Sequence, residues 1–191
     1  MSYLNITSLI LSIQLQLIQK PLDLVHDVSH HYRVYEECLK IAKSEKLHVD
    51  HKLILIASLT HDLFDRNGKK VNVLNIFLKK QIKDKNYRIR IIRIIQEHSY
   101  KKKQTTLESK VLYDADKLEY VNPFRLMWLN QIHKDGYLDR KVHNDYKNTW
   151  HDRAPFIIPS LNFEFAKYKY KKLFPVALKI INNNISLTTS Y

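Results

Sequence analysis

Leu53-Ile54-Leu55-Ile56-Ala57-Ser58-Leu59-Thr60-His61-Asp62 is the stretch on which the reading of this chain turns. From Leu53 to Leu59 it is apolar on nearly every side, the pattern of a helix buried all round. An imidazole and a carboxylate follow at its C-terminal end. A carboxylate there costs several kcal/mol, of order 2 to 7, unless a cation or hydrogen-bond donors compensate it.

Two other His-Asp dipeptides occur, His26-Asp27 and His151-Asp152, but neither follows so apolar a run. Upstream of the dyad, Val34, Cys38, Ile41 and Ala42 recur at helical spacing and predict a helix ending near Lys46. His30 lies one turn before Val34 on the same stripe, so it points inward. Downstream, Asn67-Gly68 marks a turn, and Val71 to Ile82 and Tyr87 to His98 read as helices with basic outer faces. Thr105-Thr106-Leu107-Glu108 matches a capping box, which starts a helix near Thr106 carrying Asp114 and Asp116. Pro123 is expected to kink or end that helix.

The flanks are less distinct. Leu4, Leu11, Leu15 and Ile18 predict an amphipathic helix packed on the body of the domain. Lys134 to Pro159 is polar and without clear periodicity, and reads as a loop region with short helical pieces. Ser160 is a candidate cap for a last helix containing Phe163, Phe165 and Tyr168 and broken at Pro175.

Composition agrees with a helical fold, since only 2 Gly and 5 Pro occur in 191 residues and a sheet-rich protein of this size needs more turn formers. The fold class expected is all-α, a single compact multi-helix bundle over residues 1–191. Its core spans about 22–120 and a helical extension about 121–185. The lone Cys38 cannot form an intramolecular disulfide, which suits a reducing compartment. The N-terminal apolar stretch is interrupted by Asn5, Gln14 and Gln16 and has no basic region before it, so a cytoplasmic protein without signal peptide or membrane span is expected.

The formal charge of +13 attracts polyanions, either a phosphorylated small molecule or nucleic acid. The mixed imidazole and carboxylate set suits a divalent ion, with Mn, Co, Ni, Fe or Mg as occupants. His30 comes first in the chain, then His61-Asp62, then the Asp114/Asp116 pair. Those two carboxylates lie about 200° apart on a helix, so only one can face a given ion.

Three segments together resemble a known family. His30-His31-Tyr32-Arg33-Val34 is similar to the H-x-x-R-V opening of the HD superfamily. Leu59-Thr60-His61-Asp62 is similar to its central dyad, and Asp114-Ala115-Asp116-Lys117-Leu118 to its closing A-D-[KR]-L. The resemblance implies a metal-dependent phosphohydrolase that cleaves a phosphoester or phosphoanhydride, with a nucleotide as candidate substrate. It makes His30, His61, Asp62 and Asp116 the expected metal ligands, with Asp114 the alternative fourth. Asp65 and His26 become candidate catalytic residues, and Arg33, His98, Lys101, Lys117 and Tyr120 candidate substrate-binding residues. No Gly-Tyr-Pro motif follows the dyad, which argues against a cyclic-dinucleotide phosphodiesterase. The rival reading is a basic nucleic-acid-binding or ligand-sensing module without turnover.

Overall fold

Short acidic and amide side chains decide where most of the helices begin. In the computed structural model, which describes residues 6–19, 26–63 and 71–187, five such side chains accept a hydrogen bond from a backbone N–H one turn in. Asp27 starts α2 (Val28–Ser44), Asp50 starts α3 (His51–Thr60) and Asp84 starts α5 (Lys85–Glu97). Asn122 starts α7 (Pro123–Lys134) and Asp139 starts α8 (Arg140–Arg153). Each cap satisfies a donor that the first turn would leave unpaired. Four more helices, α1 (Ile6–Gln19), α4 (Val71–Gln81), α6 (Leu107–Leu118) and α9 (Glu164–Asn183), complete an all-helical set. No strand occurs among the described residues.

The chain divides into two compact units, Met1–Ala115 and Asp116–Tyr191. In the first, α3 is the central element, packed by α1, α2 and α5. Leu53, Ile54, Ile56, Ala57 and Leu59 are all inaccessible to solvent, as its unbroken apolar run demands. In the second, α9 packs on α7, and Trp150 and Tyr170 are its largest buried side chains. The Trp150 indole N–H donates to the Tyr120 carbonyl at 2.6 Å, and the Tyr170 hydroxyl to the Ala154 carbonyl at 2.9 Å. The division falls inside α6, whose hydrogen-bonded helix continues through it to Leu118.

Several local expectations need correction. The α1 face carrying Leu11, Leu15 and Ile18 is exposed, at 55%, 55% and 67%. Leu9, Ile13 and Leu17, at i, i+4 and i+8, are buried instead. Both stripes are apolar, so periodicity alone could not choose between them. The cap of α6 is Thr106 with Ser109: the Thr106 hydroxyl accepts from the Ser109 N–H and the Ser109 hydroxyl from the Thr106 N–H, both at 3.1 Å. Glu108 is drawn instead to Arg90, at 3.8 Å, and accepts from the Asp50 N–H.

Pro123 neither kinks nor ends α6. A 3-10 turn, Glu119–Val121, intervenes and Pro123 opens α7, where its missing N–H costs nothing. The polar stretch after Lys134 contains the full helix α8, held to the core by only His143 and Trp150, seven residues apart. Its other positions are mostly solvated, which hides the period. Ser160 lies in a 3-10 turn and Phe163 holds the N-cap position of α9, while Pro175 sits inside an unbroken α9. Leu4 and Asn67-Gly68 lie outside the described residues. No helix among the described residues is long and apolar enough to cross a membrane.

Candidate metal centre

Two helix ends build most of the site. A helix leaves its last four carbonyls without intrahelical partners, and α3 and α5 each use a C-cap histidine to satisfy one. His61 turns Nδ1 onto the Ser58 carbonyl at 2.6 Å, and His98 turns Nδ1 onto the Ile95 carbonyl. In both rings Nδ1 carries the proton and Nε2 faces the other way. Each imidazole also sits where the helix dipole favours positive charge.

Asp62, 1% exposed, is ringed by imidazoles. Its Oδ2 lies 3.3 Å from His61 Nε2, 3.8 Å from His30 Nε2 and 3.8 Å from His26 Nε2. Its Oδ1 lies 3.9 Å from His98 Nε2. His30 comes from the first turn of α2, where Asp27 Oδ1 accepts from the His30 N–H at 2.9 Å. The first of the other two dipeptides is therefore a helix cap that positions the inward histidine. The second, His151-Asp152, is exposed on α8. His26 lies just before α2, half-buried.

His31 is a fifth imidazole in the group, one for which sequence reading assigned no role. It is fully buried, donates Nδ1–H to the same Ser58 carbonyl at 3.0 Å, and packs its ring against His61 with centroids 4.7 Å apart. Burial, and then the neighbouring His61 and His30, hold its pKa well below 6.5, so the ring is neutral. The signal for it was in the sequence: His31 falls three residues before Val34, within reach of the same inward stripe.

The chemistry of the donor set fits a cation. His30 Nε2 and His61 Nε2 face each other at 3.3 Å, an approach that needs either a shared proton or a positive centre. Donors held roughly 2.0–2.2 Å from one ion lie about 3–4 Å from each other, which is the range seen here. One ligand atom from each of His30, His61, Asp62 and Asp116 can be chosen so that all lie within 4.8 Å of one another, and all four residues are buried. Asp114 is also buried but is not in that group. Nearly every α6 residue from Val111 to Leu118 is buried, which is why periodicity could not choose between the two aspartates.

The other candidates are dispersed. The Lys117 ammonium, 2% exposed, pairs with Asp116 Oδ2 at 2.5 Å and lies 5.8 Å from the Tyr120 ring centroid. Tyr120 is half-buried. Arg33 donates to the Ser29 hydroxyl at 2.8 Å. Lys101 is exposed, in the left-handed backbone region with φ 68°, and its ammonium lies over the Tyr100 ring at 5.8 Å. Asp65 lies outside the described residues. Arg125, which sequence reading also missed, is 4% exposed. Burial opposes its charge, but Tyr146, Glu119 and Asp116 more than offset this and raise its pKa.

Comparison with known proteins bears on the family and the fold. The family model for the HD domain matches residues 27–121. The fold is similar to that of Bacillus subtilis YpgQ, solved in complex with ADP, with TM-score 0.64, 20% identity, and coverage of 94% of this chain and 95% of that one. It is also similar to an HD-superfamily hydrolase from Bacillus thuringiensis, with TM-score 0.63, 17% identity and 93% of each chain covered. The Lin1889 protein of Listeria innocua gives TM-score 0.63, 24% identity and 94% of each chain. No curated protein sequence matches the chain. With its His, His-Asp and Asp segments spread along the matched region in the family's order, the chain belongs to the HD-domain superfamily.

Proposed function

We propose that this protein is a metal-dependent phosphohydrolase that acts on a phosphorylated small molecule, with a nucleotide as substrate. The observation that supports the reading is the buried group formed by His30, His61, Asp62 and Asp116. A divalent ion held there, Mn, Co, Ni, Fe or Mg, supplies a bound water of lowered pKa and polarises a phosphoryl oxygen.

The chain's own residues have separable parts in this reading. The Ser58 carbonyl holds His61 as the tautomer whose Nε2 carries the lone pair, as ligation requires. His26 Nε2, near Asp62 and partly accessible, is placed to take or return a proton, and Asp65 is the second candidate for that task. His98, Lys117 and Arg33 supply charge to phosphate oxygens, as does Lys101 if the substrate extends to it. Tyr120 offers an aromatic face to a base. YpgQ, of similar fold, was solved with ADP, which favours a nucleotide over other phosphoesters.

The decisive experiment is a phosphate-release screen over nucleotides with Mn, Co, Ni and Mg, with His61→Ala as control. Release is expected only with an added divalent ion and only from the parent protein. Full hydrolysis after chelation sinks the reading. The charge of +13 favours the rival, a nucleic-acid-binding module without turnover. Salt-dependent binding of mixed RNA or DNA that survives His61→Ala, with no release from any nucleotide, establishes the rival.

A further inference from the structure

Within the unit Asp116–Tyr191 lies a second, chemically different cavity of about 550 Å³. Asn130, His133 and Lys134 of α7, Arg140, His143, Asn144 and Lys147 of α8, and Asn184 after α9 line it. None of the HD motif residues takes part.

The lining contains three side chains that carry full positive charge and no Asp or Glu. Lys147 donates to the Asn184 side-chain oxygen at 2.8 Å, and neither Lys134 nor Arg140 has an ion-pair partner among the described residues. Like charges gathered without a counter-ion repel one another, and a bound anion relieves that repulsion. The volume suits a small molecule, since such sites run from roughly 300 to 1,000 Å³.

The floor is hydrogen-bonded in a way that fixes its proton positions. Asn130, 3% exposed, donates its amide N–H groups to the Ile180 and Ile185 carbonyls, at 3.3 and 2.9 Å. Its side-chain oxygen must then accept, and it accepts from His143 Nε2 at 2.9 Å. His133 donates Nδ1–H to the Leu138 carbonyl at 2.9 Å, and the two rings stack at 4.2 Å and 11°. Burial, then His133 and Lys147, take the His143 pKa down to about 4. The local field is therefore positive and uncompensated. Two stacked imidazole rings do not converge on a point as metal ligands do, so a cation is the wrong guest.

We propose that this cavity is a binding site for a small phosphorylated anion, held by Lys134, Arg140 and Lys147. A guanidinium and two ammonium groups match the several acceptor oxygens of a phosphate better than they match a single carboxylate.

The test follows the imidazole C–H resonances of His133 and His143 by NMR while the full-length protein is titrated with inorganic phosphate. Assignment uses His133→Gln and His143→Gln. These signals report the cavity alone, so phosphate captured at the HD centre does not imitate the result. Saturable shifts with phosphate, absent with sodium chloride at matched ionic strength, are expected. The double variant Arg140→Gln/Lys147→Gln should weaken the apparent affinity at least tenfold, whereas Lys102→Gln/Lys103→Gln should leave it unchanged. If the double variant fails to fold, Arg140→Gln alone carries the test, because Arg140 is exposed. The proposal is overturned if phosphate gives no saturable shift, if chloride reproduces it, or if the charge variants bind like the parent. It is equally overturned if these signals respond to an RNA oligomer and not to phosphate.

Discussion

The two histidine groups of this protein differ by one kind of residue. In the unit Met1–Ala115, His26, His30, His61 and His98 each bring Nε2 within 4 Å of the Asp62 carboxylate. In the unit Asp116–Tyr191, His133 and His143 stack beside Lys134, Arg140 and Lys147 with no acid in the cavity lining. Both groups hold their tautomers through backbone carbonyls or amides. A buried acid makes the first a place for a cation, and its absence makes the second a place for an anion. Histidine content alone decides neither.

The comparison breaks most completely at Asp62. Asp62→Ala is expected to reduce bound divalent ion from about one per chain to near zero by elemental analysis. Phosphate release should fall by more than about 100-fold, above the 10–100-fold typical of residues that only support ligands. A variant that keeps its ion removes Asp62 from the ligand set.

Next in size is Trp150→Ala. The indole is 1% exposed and hydrogen-bonded, so its loss should cost about 3–5 kcal/mol in urea unfolding. A loss below about 1 kcal/mol would mean that Trp150 is not the anchor of α8.

The pH dependence separates the groups further. His143 is held near 4 in the folded protein, against 6.5 ordinarily, so the unfolded chain takes up that proton first. Its contribution to stability is full above about pH 6.5, is lost as pH falls toward about 4, and is flat below. His143→Gln should flatten that part of the urea midpoint profile. Glu97 produces a later step. Burial pushes its pKa up, but Thr105, Ser109 and Arg93 outweigh this and lower it to about 2. Its contribution is lost from about pH 4.5 downward and should survive in the His143 variant.

The smallest effects sharpen the contrast by holding the chemistry constant. Asp27→Ala and Asp139→Ala each remove a helix cap and should each cost about 1 kcal/mol. Only Asp27→Ala should also weaken ion binding in a competition titration, because only Asp27 positions His30.

How legible all this was in the sequence depended on how one-sided each helix is. α3 is apolar on nearly every side from Leu53 to Leu59, so its burial and the position of His61-Asp62 could be read directly. The stripe of α2 likewise placed His30. α1 and α6 resisted for the opposite reason, with two apolar faces on α1 and almost no exposed face on α6 past Val111. α8 resisted because two buried residues are too few to print a period. The gathering of His26 and His98 around the dyad depends on the C-cap geometry of His98 and on chain reversal between helices. No local pattern encodes either.

The Ser58 carbonyl, which accepts from both His31 and His61, gives the metal centre an unusual kind of robustness. The choice of which nitrogen each ring protonates is written in the main chain, so no replacement of the side chain at position 58 can erase it. Two imidazoles are thereby set by an atom that point mutation cannot remove, and only a change in the path of the α3 terminus would reassign their protons.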